Sequence, residues 1–288
     1  IKFTHFISFS ILFTIKYNNF IIKTMLRIIF FLVVLMPSSA FALSFDGKFV
    51  QGHFIIGKTQ PKTEIWVDKK KVKVTKDGFF VFGIGRDRKY DVVITSLKGG
   101  KKTKIVKKIK KRKYQIQRID GLPEKKVTPP KEVYDRIKND NKLIGAAREI
   151  DSNLDFFKEK FILPVDNAII TGVYGSQRIL NGKPRWPHYG VDFAQKKGTP
   201  IKAMADGVVT LSENDLYYTG ATLIFDHGHG ISTLYMHMDK IFVEVGDLVK
   251  QGDIIGTVGS SGRSTGPHLD IRLNWRNARL DPMTILNK

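Results

Sequence analysis

Short runs of β-branched and aromatic residues, separated by Gly, Pro and Asp-Gly turns, dominate the chain from residue 44 to residue 118. Such runs predict strands, and their turn residues predict tight connections. The predicted strands cover residues 49–56, 64–67, 71–74, 79–84, 90–95 and 103–109. We interpret residues 43–118 as a small β-rich accessory module.

The same pattern returns from residue 161 onward, with Gly-Asp turns between the runs. Strands are predicted at residues 168–173, 190–193, 200–204, 207–213, 221–225, 232–237, 254–258 and 268–273. Between the two β regions, Pro123, Pro129 and Pro130 indicate a connector, and apolar residues at helical spacing predict one long helix over residues 131–157. The predicted fold class is mainly β: a small β-rich module (43–118), a connector and helix (119–160), and an antiparallel β domain (161–288).

The first 42 residues have the character of a targeting segment. From Met25, one cation at Arg27 precedes an apolar run over residues 28–36, and small residues close the segment at Ala40 and Ala42. These are the three regions of a secretory signal peptide. We predict that residues 25–42 are removed, that residues 1–24 lie upstream of the true start, and that the mature protein is exported to the periplasm or cell envelope. An N-terminal membrane anchor is the alternative.

Composition limits the chemistry that this chain can perform. Its 288 residues are 42% hydrophobic and 26% charged, which excludes wholesale disorder. The absence of cysteine excludes a disulfide scaffold and every thiolate site. Any metal ion must therefore be held by His, Asp or Glu.

The net charge of +21 is concentrated outside the C-terminal domain, where thirteen Lys and Arg face twelve Asp and Glu. The segment from Lys98 to Lys113 holds ten cations in sixteen residues and no acid. An exported protein rarely meets nucleic acid, and the segment lacks the aromatic residues that stack on single strands, so no nucleic-acid partner is expected. Anionic envelope polymers or lipid headgroups are the expected counter-charge; a merely solvated strand face is the alternative.

Three short motifs carry the candidate chemistry. His188 and Asp192 can share a metal only if the backbone folds between them, because residues four apart on a strand are about 13 Å apart. His268 and Asp270 are two apart on a predicted strand and face the same way, so that one can ligate a metal while the other reaches a water. His237 follows Tyr235 at the same spacing, which predicts that these two side chains share a face.

In this order, the motifs resemble the lysostaphin/LytM-type family of zinc peptidoglycan endopeptidases over roughly residues 161–282. The resemblance implies one zinc ion, an antiparallel β peptidase fold and the peptide cross-bridges of peptidoglycan as substrate. It further implies that His188 and Asp192 ligate zinc and that His237 and His268 act on the catalytic water and the oxyanion. His227 and His229 are interpreted as structural or substrate-flanking.

The chain departs from this family at its third ligand position, where Asp270 replaces a histidine. A carboxylate oxygen is an acceptable zinc ligand, but a second negative charge makes the metal a weaker Lewis acid. The leading prediction is an exported zinc metallo-endopeptidase with His188, Asp192 and Asp270 as metal ligands. The alternatives are a catalytically degenerate domain that binds peptidoglycan or activates another hydrolase, and an envelope-binding role of the basic module.

Overall fold

The computed structural model describes residues 43–121 and 127–286. The predicted signal peptide and the segment upstream of it lie outside the described residues. Within the described ranges, none of the helices has the length and apolar character needed to cross a bilayer.

The described chain is mainly β, as predicted, with two α-helices and short 3₁₀ turns at Lys131–Val133 and Phe156–Lys158. The helices are α1 (Tyr134–Arg148) and α2 (Met283–Leu286). The N-terminal strands are β1 (Ser44–Asp46), β2 (Phe54–Lys58), β3 (Glu64–Val67), β4 (Lys70–Val72), β5 (Phe79–Gly83), β6 (Val92–Lys98), β7 (Lys101–Lys107) and β8 (Ile116–Ile119). The remaining strands are β9 (Ile169–Gly172), β10 (Gln177–Leu180), β11 (Lys183–Pro184), β12 (Val191–Ala194), β13 (Pro200–Lys202), β14 (Gly207–Leu216), β15 (Gly220–Gly228), β16 (Ile231–Ile241), β17 (Leu248–Val249), β18 (Ile254–Val258), β19 (His268–Trp275) and β20 (Ala278–Leu280).

The N-terminal strands form two small antiparallel sheets, in the orders β1-β2-β5 and β4-β3-β6-β7. A two-residue turn joins β6 to β7, and both of its residues, Gly99 and Gly100, have positive φ. That backbone matches the right-handed twist of the flanking strands, and glycine adopts it without steric cost. Alternate residues of the two sheets, among them Ile65, Phe80 and Ile94, meet in a core of their own.

The C-terminal strands form a large sheet whose main path is β17-β14-β15-β16-β19-β12-β9. Every pairing in it is antiparallel among the described residues. Strand β15 is buried along its whole length because both of its faces are covered. Leu223 and Phe225 face the main core on one side, and Ile224 packs with Ala147 of α1 on the other. Helix α1 therefore lies directly on the central sheet.

Helix α1 is shorter than the predicted helix over residues 131–157, and the prediction is wrong in its last third. The helix ends at Arg148, and the chain then turns back toward the sheet. Asp151 pairs with Arg276, and the carbonyl of Ser152 accepts a hydrogen bond from the backbone N–H of His229 at 3.1 Å. The hydroxyl of Ser152 also accepts a hydrogen bond from the backbone N–H of Leu154 at 3.3 Å, a local bond of the kind that competes with helix formation. These contacts prevail over apolar spacing.

The N-terminal sheets and the large sheet share a core. Phe54 and Val81 lie in the same buried cluster as Leu280 of β20. Gly83 packs so closely on Leu280 that a Cβ atom there would clash with its side chain. A partly buried ion pair between Arg112 and Asp281, at 2.6 Å, closes the same junction. The module boundary inferred from composition therefore does not coincide with a gap in the packing.

The basic segment between Lys98 and Lys113 forms the end of β6, all of β7 and the chain that follows. Strand β7 is an edge strand, and most of its side chains are exposed. Lys107 differs from the other lysines of β7 because its ammonium group contacts aromatic rings. It lies 5.4 Å from the ring centre of Phe45 and 5.6 Å from that of Phe49. The anionic partner of this surface stays a prediction.

Replacing Leu280 by Ala should lower the free energy of unfolding by about 2–5 kcal/mol, because the side chain is fully buried where the two sheet systems meet. Denaturant unfolding of the wild-type and variant chains measures the change. Leu163→Ala is the matched control: its side chain is 50% exposed, and it should change stability by less than about 0.5 kcal/mol. Equal effects of the two substitutions would contradict the shared core.

Candidate metal centre and cavity

His188 lies in the loop before β12, and this loop folds back as the sequence spacing required. The backbone N–H of His188 donates to the carbonyl of Ser176 at 2.8 Å, and its carbonyl accepts from Gly175 at 2.7 Å. Asp192 is the second residue of β12. As a result, Nε2 of His188 is 3.1 Å from Oδ1 of Asp192. Both groups are largely withdrawn from solvent.

Asp270 lies directly opposite Asp192 in the antiparallel register of β12 and β19. Its Oδ2 is 3.3 Å from Nε2 of His188, and its side chain is buried. His188, Asp192 and Asp270 each offer one ligand atom, and these atoms all lie within 4.8 Å of one another. The structure thus brings together the three residues predicted as ligands.

The two ligand-atom distances from His188 fit a metal ion. Tetrahedral zinc with bonds of about 2.0–2.2 Å places its ligand atoms about 3.3–3.6 Å apart. The two distances from Nε2 of His188, 3.1 and 3.3 Å, are close to that spacing. Oδ1 of Asp192 is buried and accepts no well-directed hydrogen bond among the described residues. A buried carboxylate oxygen in that state indicates a ligand position, since buried polar atoms are otherwise hydrogen bonded.

Two glycines make room for the carboxylates. A Cβ atom on Gly190 would clash with the carboxylate of Asp270, and one on Gly172 would clash with that of Asp192. Neither glycine has left-handed backbone, so glycine is required here because a side chain approaches closely and not because of backbone conformation. Gly190 is the same residue that the sequence indicated for the fold between His188 and Asp192.

Arginines balance the two carboxylates. Arg272, two residues beyond Asp270 on the same face of β19, donates from Nη2 to Oδ2 of Asp270 at 3.0 Å, and Arg178 lies 3.6 Å from Asp192. Burial would raise the pKa of Asp270, but Arg272 and His188 outweigh it and hold the pKa well below its ordinary value. Burial would lower the pKa of His188, but Asp270 and Asp192 outweigh it and raise the pKa.

His237 and His268 lie side by side at this centre, with ring centroids 4.8 Å apart. Nδ1 of His237 is 2.8 Å from the carbonyl oxygen of Ser261, and Nδ1 of His268 is 2.8 Å from that of Gly266. A carbonyl oxygen only accepts, so each Nδ1 carries a hydrogen, and Nε2 of a neutral ring keeps its lone pair. Burial is the largest influence on the pKa of His237 and lowers it, which favours the neutral ring.

The prediction that Tyr235 and His237 share a face is wrong. Tyr235 points into the main core, where its hydroxyl accepts from the backbone N–H of Met204 at 2.9 Å. His237 instead lines the cavity, as its neighbour Met236 does. The cause is the left-handed backbone at His237, with φ of 63°, next to an irregularity in the pairing of β16. Such backbone is uncommon outside glycine and here redirects the ring.

His227 and His229 lie outside the metal group. His227 is fully buried, and its ring nitrogens are 2.7 Å from the carbonyl of Asp206 and 2.8 Å from Oγ1 of Thr233. Burial lowers its pKa to about 4. The ring of His229 packs on Phe157 with centroids 4.9 Å apart. Both rings are therefore packed in the protein interior, away from the metal group.

A cavity of about 670 Å³ opens over the centre, and His188, His237 and Asp270 are on its wall. One side is formed by Val127, Thr128 and Pro129 of the connector and by α1. An extended peptide fits a groove of this kind, because most of a ligand's surface can be buried while a few polar groups orient it.

Comparison with known proteins agrees with this geometry. Residues 186–282 match the model of peptidase family M23. The chain contains an M23 peptidase domain.

The domain is 41% identical over 97 residues to the peptidoglycan DD-endopeptidase ShyA of Vibrio cholerae, covering 34% of this chain and 22% of that protein. It is 40% identical over 98 residues to the DD-carboxypeptidase/endopeptidase Mpg of Neisseria meningitidis, with the same coverages. The chain therefore spans about a fifth of the length of these relatives.

A crystal structure described as a peptidase M23 of Pseudomonas aeruginosa resembles the larger part of the chain. The two are 27% identical with a TM-score of 0.64, and the match covers 83% of this chain and 95% of that one. The resemblance inferred from the motifs is confirmed, and so is the fold class.

Arg272 and Arg178, which flank the two carboxylates in the M23 domain, were not predicted from the sequence. The strand that carries His268 and Asp270 also predicts that Arg272 lies on their face, because alternate residues of one strand share a face. Arg178 gave no such signal, since β10 pairs with β8 and β11 instead of with the strands that carry the centre.

Replacing Gly190 by Ala should lower the affinity of the chain for zinc by about 10–100-fold, the usual cost of disturbing the support of a ligand. The added methyl group would displace the carboxylate of Asp270. Equilibrium dialysis against buffered zinc measures the affinity. Gly85→Ala is the control, because nothing lies within 4 Å of a Cβ atom there. Unchanged zinc affinity in the Gly190 variant would count against Asp270 as a ligand.

Proposed function

We propose that this chain is an exported zinc metallo-endopeptidase that hydrolyses the peptide cross-bridges of bacterial peptidoglycan. The observation that carries the proposal is the convergence of His188, Asp192 and Asp270, with two further imidazoles beside them. Of these residues, His188, Asp270 and His237 lie on the wall of one cavity. The relatives named as peptidoglycan DD-endopeptidases support the same substrate. Export rests on the predicted signal peptide alone.

The buried trio would hold one zinc ion through Nε2 of His188 and one oxygen each of Asp192 and Asp270. Bound there, zinc would supply Lewis acidity to the scissile carbonyl and lower the pKa of the attacking water. Arg272 keeps the carboxylate of Asp270 ionised and fixes its orientation through the hydrogen bond at 3.0 Å. Gly190 and Gly172 keep the space that the two carboxylates occupy.

His237 and His268 would handle the protons of the reaction. Because each ring donates from Nδ1 to a backbone carbonyl, its orientation and tautomer are fixed, and Nε2 is the basic atom. One Nε2 would accept a proton from the attacking water. The resulting imidazolium would then donate a hydrogen bond to the tetrahedral oxyanion or a proton to the leaving amine.

The second candidate function of this chain is to bind peptidoglycan without cleaving it. The aspartate at the third ligand position favours this function, because a second carboxylate lowers the Lewis acidity of a bound metal ion. The two functions differ in metal content and in the release of peptides from isolated sacculi.

Purified wild-type chain should contain about one zinc ion and release peptide fragments from sacculi, whereas Asp270→Ala should lose most of its zinc and its activity. Asp270→His should retain zinc. Metal analysis and chromatography of the released fragments are the measurements, and Asp215→Ala, a change at a highly exposed surface aspartate, is the control. Zinc content that does not respond to either substitution at Asp270 would refute the ligand assignment; a metal-free wild-type chain that binds sacculi would establish the second function.

Replacing His237 by Ala should lower kcat by about 10²–10⁴-fold while zinc content stays near that of the wild type, because this ring handles protons and is outside the ligand trio. Paired metal analysis and initial rates on sacculi check both parts. A loss of zinc together with activity would place His237 among the ligands instead.

A further inference from the structure

Arginines crowd the cavity over the metal centre. The lining contains Arg148, Arg178, Arg185, Arg263, Arg272 and Arg279. Among the described residues that line the cavity, Asp270 is the single acidic one. This excess of positive charge is unlike the rest of the C-terminal domain, whose acidic and basic residues nearly balance.

Two of these arginines already have carboxylate partners and two rest on aromatic rings. Arg272 pairs with Asp270 and Arg178 lies near Asp192. The guanidinium of Arg263 lies 4.3 Å over the ring of Tyr218, and that of Arg279 lies 4.6 Å over the ring of Tyr189. Stacking positions a guanidinium and leaves its N–H edge free to donate.

Arg148 and Arg185 make few polar contacts for partly buried side chains. Nη2 of Arg148 donates to the carbonyl of Arg276 at 3.3 Å, and Nη2 of Arg185 donates to Oγ1 of Thr128 at 3.2 Å. Neither pairs with a carboxylate among the described residues. In contrast, Arg276, just outside the lining, pairs with Asp151 at 3.0 Å.

Several donors in the cavity wall are buried without an acceptor. The Nε atoms of Arg148, Arg178 and Arg185 are shielded from solvent and have no hydrogen-bond partner among the described residues. Burial is the main cause that lowers the pKa of Arg148 to about 10, and repulsion from Arg279 and Arg272 adds to it. Repulsion among these cations costs free energy, and an anion in the cavity reduces it.

The rest of the lining fits a peptide that carries such an anion. Apolar side chains of Ile144, Leu180, Leu234 and Met236 lie beside the arginines. His188, His237 and Asp270 border the same space, so a peptide lying there would reach the metal centre. A carboxylate matches the planar N–H fork of arginine in two parallel hydrogen bonds.

We infer that this arginine-lined chamber binds a free carboxylate of the peptide substrate and thereby selects cross-linked peptides that carry one near the scissile bond. The inference rests on the proposed function for the identity of the peptide. Arg148 of α1 and Arg279, the middle residue of β20, are the binding residues to test, because they lie on the wall and come from separate elements. Like Arg185 and Arg263, they have no carboxylate partner among the described residues. Helix α1, which precedes the M23 domain in sequence, thus contributes to substrate recognition.

The test compares cross-linked peptide dimers released from sacculi with the same dimers after chemical amidation of their carboxylates. Binding is measured on the full chain stripped of metal by a chelator, so that the peptides are not cleaved. Free-carboxylate dimers should bind at least about tenfold more tightly than amidated ones, the factor that loss of one charge-assisted pair produces. Arg279→Gln and Arg148→Gln should bind both forms with the affinity of the amidated dimers.

Arg136→Gln is the matched control, because Arg136 lies on the same helix, pairs with Asp215 and is outside the cavity. It should bind like the wild type. The two arginine variants lie on separate elements, so the test still holds if one of them misfolds. Circular dichroism checks that each variant is folded. With zinc restored, Arg279→Gln should raise KM for free-carboxylate dimers and leave KM for amidated dimers unchanged.

Equal binding of amidated and free-carboxylate dimers by the wild-type chain would overturn the inference. The inference would also be overturned if millimolar inorganic phosphate displaced the bound dimers and simple carboxylates at the same concentration did not. The chamber would then be a phosphate site. If the dimers bind with the expected preference but are never cleaved by the zinc-loaded chain, the inference stands and the proposed hydrolysis fails.

Discussion

Two carboxylates lie directly opposite each other on neighbouring strands, and the rest of the site follows from this arrangement. Asp192 and Asp270 are partners in the antiparallel register of β12 and β19, and Asp270 is buried. Like charges in such a pair repel each other, and burial raises the cost of each. The pair is stable only with positive charge or a metal ion close by. His188, Arg178 and Arg272 supply part of that requirement.

The fold makes this arrangement precise by placing the polar groups on a sheet whose position is fixed from both sides. The main core lies under β15, β16 and β19, and α1 covers part of the other face. Since register fixes which residues face each other, Asp192 and Asp270 cannot separate without breaking the ladder. His268 lies on the same strand as Asp270, and the left-handed backbone at His237 brings the second ring to it. Rigid strands hold the candidate chemistry, and the loop at His188 completes it.

Much of this could be predicted from sequence, because the short motifs encode local geometry. Alternation along a strand was enough to place His268 and Asp270 on one face, and the Gly and Pro around His188 implied the fold-back toward Asp192. The opposition of the two aspartates needed the register of strands that are far apart in sequence. The alternation rule gave the wrong face for His237 because the backbone of that residue is left-handed. Arg148 belongs to a helix whose docking on the sheet no local pattern specifies, so its place beside the cavity required the tertiary structure.

Arg272 changes how the aspartate at the third ligand position should be judged. With two carboxylates and one neutral imidazole, the trio would carry two negative charges, and a metal held there would lose Lewis acidity. The guanidinium of Arg272 donates to Asp270 at 3.0 Å and withdraws part of that charge. Because Arg272 lies two residues further along the same strand face, the aspartate and its counter-charge come as a unit of β19. Asp270 together with Arg272 therefore brings the net charge of the site close to that expected with a single carboxylate. For this reason, aspartate in place of histidine is by itself weak evidence for a lost activity.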